Sequence, residues 1–125
     1  MITGDVNDAL EATIRVTVVG PNRQEVEVDA VLDTGFTDHL TLSSSTIRSL
    51  GLPFIGSEDA CLADGSLVRL NLYLATAKWH DEERGIVVSE AEGGPLVGMS
   101  LLHGSQVVLD VIEGGSVLIR PLLAV

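Results

Sequence analysis

The sequence predicts an all-β fold with one or two short helices, and three observations support this. Apolar residues alternate with polar ones over short runs, which is the period of a half-buried strand. Turn residues such as Gly, Pro, Asn and Asp separate these runs. Apolar residues make up 46% of the 125 residues but aromatic ones only 3%, so the core is expected to be aliphatic. The length predicts a single domain spanning residues 1–125.

The first pair of runs reads as a β-hairpin. Apolar residues alternate with polar ones over 14–18 and again over 26–30, and Gly20-Pro21-Asn22 lies between the two runs. The second run continues into Val31-Leu32, an apolar strand end that leads into the tight turn Asp33-Thr34-Gly35. Asp-x-Gly is ordinary turn chemistry by itself, because Asp hydrogen-bonds its own backbone and Gly tolerates many conformations.

A short helix is predicted over residues 43–50. Serines at its start can cap the free N–H groups of the first turn, and Gly51 with Pro53 ends it. A second helical turn is predicted at 99–103, where Gly104 ends it.

The centre of the chain reads as a second hairpin, because Ala63-Asp64-Gly65-Ser66 separates two apolar pairs and Asp-Gly is a strong hairpin signal. Strands and turns are predicted for the rest in this order: a long strand 68–79, a polar turn 80–83, a strand 84–88, a break at 93–95, and strands 107–112 and 117–119 around Gly114-Gly115. The two halves resemble each other in this order of elements. The first half delivers Asp33-Thr34-Gly35 and the second delivers Leu96-Val97-Gly98, a pattern typical of an internal pseudo-two-fold.

Charge and residue counts disfavour several classes of function. Eighteen acidic residues against seven basic ones give a net charge of −11, which repels nucleic-acid phosphates. The single cysteine, Cys61, excludes an internal disulfide, and it does not combine with His39, His80 and His103 at zinc-ligand spacing. We therefore expect no metal and no cofactor. The sequence shows no signal segment and no apolar run of membrane length, so a cytoplasmic protein without membrane contact is expected.

The context of Asp33 indicates more than a turn. Its carboxylate follows two apolar residues, so it emerges at the end of a buried strand, where a charge costs stability. A second apolar-apolar-Gly element, Leu96-Val97-Gly98, lies downstream, and the Asp-Gly hairpin at 63–66 lies between the two.

In this order the segments resemble those of the retropepsin-like aspartic proteases, in particular their small bacterial and archaeal single-domain members. The resemblance covers nearly the whole chain from about Ile14. Its segments are 31–37 for the active-site loop, 40–43 and 50–53 for the stretch after that loop, 62–66 for the flap, and 95–102 for the second half-motif. It implies a retropepsin-like acid protease barrel.

The resemblance also implies an endopeptidase that acts as a homodimer on peptides or proteins. Peptide hydrolysis by this chemistry needs one ionised carboxylate to activate water and one protonated carboxyl to polarise the carbonyl. Only one Asp-Thr-Gly triplet is present, so a two-fold axis would supply the second Asp33. As in aspartic proteases generally, two such carboxyl groups in contact would share one proton.

The resemblance implies a role for each segment of the site. Thr34 hydroxyl groups would lock the two active-site loops together, and Gly35 would let the backbone approach the substrate. The chain end, residues 116–125, would supply an intermolecular sheet. Substrate contacts would come from the active-site loop, the flap and the second half-motif: Leu32, Phe36, Thr37, Ala63, Asp64, Gly65, Ser66, Leu96, Val97 and Gly98.

Some positions depart from the family pattern. Retroviral relatives carry an Asp–Arg pair at the positions that are Thr37 and Met99 here, so the active-site loop must be braced in another way. Ser100 stands where relatives usually have Asp or Asn, and Asp38 and His39 replace a small residue and an aromatic one. Two alternatives remain open: a module on the same fold that binds peptides without cutting them, and a dimerisation domain with a vestigial site.

Overall fold

A computed structural model describes residues 1–123, and residues 124 and 125 lie outside the described part. The fold is all-β with two short helices, as the sequence predicted. The elements are β1 Ile2–Val6, β2 Ala12–Val19, β3 Glu25–Leu32, β4 Leu40–Leu42, α1 Ser44–Leu50, β5 Phe54–Cys61, β6 Leu67–Trp79, β7 Glu82–Glu90, β8 Leu96–Val97, α2 Met99–Leu102, β9 Ser105–Leu109 and β10 Ser116–Pro121.

The strands form one curved sheet that closes on itself. Their order is β5-β6-β7-β4-β8-β3-β2-β1-β10-β9, and β6 also pairs with β2. This extra pairing joins the strands from β6 to β2 into a closed barrel. β5 extends the sheet beyond the closure on one side, and β1, β10 and β9 extend it on the other.

The predicted hairpins are present. β2 and β3 are antiparallel with Val16 opposite Val28, and Ile14, Val16 and Val18 are buried as their alternation predicted. β5 and β6 are antiparallel as well, with Cys61 opposite Leu67 at the hairpin end.

Both helices begin and end where the sequence indicated. In α1 the Ser43 hydroxyl accepts a hydrogen bond from the Thr46 N–H at 3.3 Å, so Ser43 is the N-cap. Gly51 follows the helix in the left-handed conformation with φ 62°, which favours glycine. Ile47 and Leu50 face the core. The second predicted helical turn is α2.

An internal symmetry places β4 and β8 at the centre of the sheet. β3 runs parallel to β8, β7 runs parallel to β4, and the two halves meet where Leu40 lies opposite Val97. The first half, β1 to α1, therefore matches the second, β5 to α2. This match corrects the expectation that Leu96-Val97-Gly98 is the counterpart of Asp33-Thr34-Gly35. β8, which contains Leu96 and Val97, corresponds to β4 of the first half. The counterpart of residues 33–35 is the turn that follows β7.

Several strand assignments were missed or misplaced. β4 was not predicted, and β7 begins at Glu82, inside the predicted turn 80–83. β1 was not predicted because Thr3-Gly4-Asp5 lacks an apolar pattern; pairing with β2 and β10 holds it, and a Cβ on Gly4 would lie 1.9 Å from the Thr13 carbonyl oxygen. The strand predicted over 107–112 is β9, which ends at Leu109. A turn formed by 110–115 follows it, with the Gly115 N–H bonded to the Ile112 carbonyl at 2.8 Å.

The expectation of an intermolecular sheet from residues 116–125 is also corrected. β10 is already paired on both edges, with β1 on one side and β9 on the other. Its backbone therefore has no free edge for a partner chain. The last part of that segment, residues 124 and 125, lies outside the described residues.

The barrel interior is aliphatic, as predicted. Leu40, Val88, Val97 and Leu101 are fully buried, and the aromatic ring of Trp79 is buried in the same cluster. Within residues 1–123, no helix has both the length and the apolar character needed to cross a membrane.

Candidate active site

Asp33 lies directly after β3, and three hydrogen bonds fix it. Its N–H donates to the Val97 carbonyl at 2.9 Å, and its own carbonyl accepts from the Phe36 N–H at 3.1 Å. The carboxylate Oδ1 accepts from the Gly35 N–H at 2.9 Å. The half-buried carboxylate is therefore oriented by the turn that follows it.

The Gly35 backbone passes close to the Asp33 carboxylate, and its backbone angles are ordinary. A Cβ at this position would lie 3.3 Å from Asp33 Oδ1, tighter than ordinary contact. Thr34 and Gly35 are both exposed, so this turn offers its hydroxyl and its backbone to whatever covers it.

The loop after Gly35 is clamped to the start of α2 by backbone hydrogen bonds. The Gly98 N–H donates to the His39 carbonyl at 2.9 Å, and the Met99 N–H donates to the Phe36 carbonyl at 2.8 Å. The orphan N–H groups at the start of α2 are thus satisfied by the active-site loop itself.

Ser100 completes this clamp and explains how the loop is braced without an Asp–Arg pair. Its N–H lies 3.2 Å from the carbonyl oxygens of Thr37 and Asp38, and its hydroxyl donates to the Thr37 carbonyl. A neutral hydroxyl–carbonyl bond replaces the ion pair.

Val97 and Gly98 have structural roles, and this differs from the expectation that they contact substrate. Val97 is fully buried in the core. A Cβ on Gly98 would lie 2.1 Å from the Asp38 carbonyl oxygen and 2.6 Å from Phe36 Cδ2, so only glycine fits there. Neither residue presents side-chain surface to a ligand.

His39 is half-buried against β7. Its Nδ1 lies 3.5 Å from the Val87 N–H, and burial lowers the pKa of its imidazole. The ring therefore packs as a neutral group that supports the loop.

A carboxyl pair that sequence reasoning missed joins the loop to the flap. The Glu58 carboxyl of β5 is hydrogen-bonded to Asp38, and that bond with partial burial raises the pKa of Glu58 to about 7. β5 leads directly into the hairpin at 62–66, so this contact between two carboxyl groups connects the strand before that hairpin to the loop after Gly35. The pairing depends on how β5 crosses the loop, and no local sequence pattern signals it.

The tight hairpin turn expected at residues 63–66 is present. Asp64 Oδ1 accepts hydrogen bonds from the Ser66 hydroxyl at 2.6 Å and the Ser66 N–H at 2.9 Å, and these bonds lower the pKa of Asp64. Gly65 has φ 86°, a conformation that favours glycine. All four tip residues are exposed.

An apolar groove of about 780 Å³ opens beside Asp33. Leu32, Asp33 and Thr34 line one wall, and residues of α2, β9 and the β1–β2 turn line the rest. Within the described chain, the flap tip, Phe36, Thr37 and Leu96 do not line this groove. Sequence reasoning missed the lining residues Leu10, Leu102 and Leu109, which are distant in sequence and look like ordinary core.

No group of three or more His, Cys, Asp or Glu side chains within residues 1–123 could hold a metal ion. Cys61 is exposed on β5, at the entry to the flap hairpin.

Comparison with known proteins supports the fold. No family model matches the chain, and no curated protein matches it. Among solved structures, the chain is similar to the EIAV protease in complex with the inhibitor HBY-793, with a TM-score of 0.56 and 18% sequence identity. The similarity covers 74% of this chain and 85% of the EIAV protease chain. The chain therefore has a retropepsin-like fold.

Proposed function

We propose that residues 1–125 act as one domain that pairs with a second copy to form an aspartic endopeptidase. The observation that carries the proposal is the placement of Asp33 in a retropepsin-like fold. Its carboxylate follows a barrel strand and is oriented by the Gly35 N–H at 2.9 Å, beside an exposed Thr34. The EIAV protease, which shares this fold, is by its name a protease.

The chemistry needs two carboxyl groups and one water. The ionised Asp33 takes a proton from water while the water oxygen attacks the peptide carbonyl carbon. The protonated Asp33 of the second copy polarises the carbonyl oxygen and stabilises the charge that develops on it. When the tetrahedral intermediate collapses, the C–N bond breaks and the amine nitrogen receives a proton from the dyad. No cofactor enters this scheme.

The flap and the active-site loop would hold an extended peptide. The hairpin at 63–66 would cover the cleft and exclude water, as mobile loops do in many enzymes. Backbone pairing would supply affinity, and side chains at Leu32, Phe36, Thr37 and Leu96 would shape the pockets.

The test is a cleavage screen on a diverse peptide mixture from acidic to neutral pH, read by mass spectrometry. The native chain is compared with Asp33→Asn and with Asp29→Asn, which alters an exposed carboxylate on β3, the strand that precedes Asp33. We expect cuts by the native chain and by Asp29→Asn, and none by Asp33→Asn. Cuts that persist in Asp33→Asn would exclude the dyad. A dimeric native chain that binds peptides and never cuts them would favour the peptide-binding module.

A further inference from the structure

A second cleft, of about 700 Å³, lies between α1, β6 and the end of β7. Ile47 and Leu52 line it with buried apolar surface, and Arg48, Asn71 and Glu90 supply polar groups. Its volume lies within the range of about 300–1,000 Å³ that is typical of small-molecule sites. Within the described chain, this cleft shares no lining residue with the groove beside Asp33.

The Tyr73 side chain forms a fixed wall of this cleft. Its hydroxyl donates to Glu90 Oε1 at 2.8 Å, and the Phe54 ring packs edge-on against it with the ring centroids 5.7 Å apart. The hydrogen bond to Glu90 raises the pKa of Tyr73, and the positive charge of Arg48 acts in the opposite direction. Both charged groups therefore lie near the Tyr73 hydroxyl, one on α1 and the other on β7.

Arg48 brings a positive charge to the cleft and has no ion-pair partner among residues 1–123. The other basic side chains are engaged in ion pairs or hydrogen bonds, namely Arg15, Arg23, Arg69, Lys78, Arg84 and Arg120. Arg48 and Glu90 both line the cleft, yet no ion pair joins them in the described part of the chain. A space therefore separates two opposite charges.

We propose that this cleft binds a free α-amino acid with an apolar side chain. The carboxylate of the ligand pairs with the Arg48 guanidinium, whose planar donors match two oxygens. The ammonium group of the ligand donates to Glu90 Oε2, since the Tyr73 hydroxyl occupies Oε1. The apolar side chain covers Ile47 and Leu52. The inference is independent of the proposed function, because no part of it uses Asp33.

The first test is an NMR titration of the full chain with three probes: leucine, N-acetylleucine and leucinamide. N-acetylleucine lacks the ammonium group, and leucinamide lacks the carboxylate. We expect leucine to shift the amide signals of Gly51, Asn71 and Tyr73. Each of the other two probes should bind on the order of 10-fold more weakly, because each loses one charged hydrogen bond.

The second test assigns each ligand charge to its partner. Arg48→Gln should weaken leucine binding on the order of 10-fold and leave leucinamide binding unchanged. Glu90→Gln keeps an acceptor for the Tyr73 hydroxyl, and it should weaken leucine binding while leaving N-acetylleucine binding unchanged. Arg15→Gln is the control, because it removes an exposed arginine on β2 that does not line the cleft. The amide spectrum of each variant shows whether it is folded.

Three outcomes would overturn the site. The first is the absence of shifts at Gly51, Asn71 and Tyr73 up to the solubility limit of leucine. The second is equal affinity for the three probes, since neither charge of the ligand would then be recognised. The third is a folded Arg48→Gln protein that binds leucine as tightly as the native chain does.

Discussion

Replacing Gly98 by alanine tests whether the active-site loop depends on close backbone packing against α2. The added Cβ would lie 2.1 Å from the Asp38 carbonyl oxygen, 2.6 Å from Phe36 Cδ2 and 2.8 Å from the Phe36 carbonyl oxygen. Two of these three atoms belong to the backbone and cannot rotate away. The loop must therefore move as a unit, which breaks the Gly98–His39 hydrogen bond.

The expected loss of stability follows from these contacts. Overpacking costs about 1–3 kcal/mol where side chains can adjust, and a lost backbone hydrogen bond adds about 1 kcal/mol. With backbone atoms in contact we expect about 3–4 kcal/mol, a large share of the roughly 5–15 kcal/mol typical of a domain. For a chain of this size the Tm should fall by roughly 10–15 °C.

The assay is urea denaturation followed by circular dichroism, with Gly85→Ala as the control. Gly85 lies within β7, and a Cβ there would meet no atom within 4 Å, so its replacement should change stability little. A Gly98→Ala protein with native stability would refute the packing argument. It would also show that the close packing of Gly98 is not what holds the loop against α2.

Two further predictions concern the same loop. In Glu58→Gln the carboxyl pair with Asp38 is lost. Because the pKa of Glu58 is raised from 4.5 to about 7, the native chain should lose stability as pH rises between these values, by about 1 kcal/mol after solvent screening. Denaturation at several pH values should show that slope reduced in Glu58→Gln and kept in Asp59→Asn; equal slopes would contradict the pair. Ser100→Ala should lower the free energy of unfolding by about 1 kcal/mol, which corresponds to a Tm decrease of about 4 °C. The control Ser49→Ala removes a hydroxyl that is hydrogen-bonded only within α1, so its stability should be nearly unchanged. Equal effects of the two substitutions would show that the Ser100 hydrogen bond does not brace the loop.

The sequence predicted the local elements well because their signals are local. Alternation at 14–18 and 26–30 fixes which face of each strand is buried, and Asp64-Gly65 fixes the flap turn. Ser43 and Gly51 bound α1 through contacts made within a few residues. Each of these features is decided by short-range geometry, and each was confirmed.

The missed features depend on strands that are distant in the chain. β1 is a strand because β2 and β10 flank it, although Gly4 and Asp5 interrupt the apolar alternation that would have predicted it. The burial of Val97 results from its central position between β3 and β4, and its motif gave no sign of it. The motif drew attention to Asp33, but the groove beside it, with Leu10 and Leu109, exists only after folding.

The hydrogen bond from the Asp33 N–H to the Val97 carbonyl has a consequence for the order of folding. The β2–β3 and β6–β7 hairpins join neighbouring segments and can form early, whereas the β3–β8 and β4–β7 contacts must close long loops first. Asp33 therefore reaches its final position only after β8 has been synthesised and docked. A ribosome-bound chain that ends before β8 can form both early hairpins. Its Asp33 lacks the hydrogen bond to the Val97 carbonyl and is not yet held in its final position.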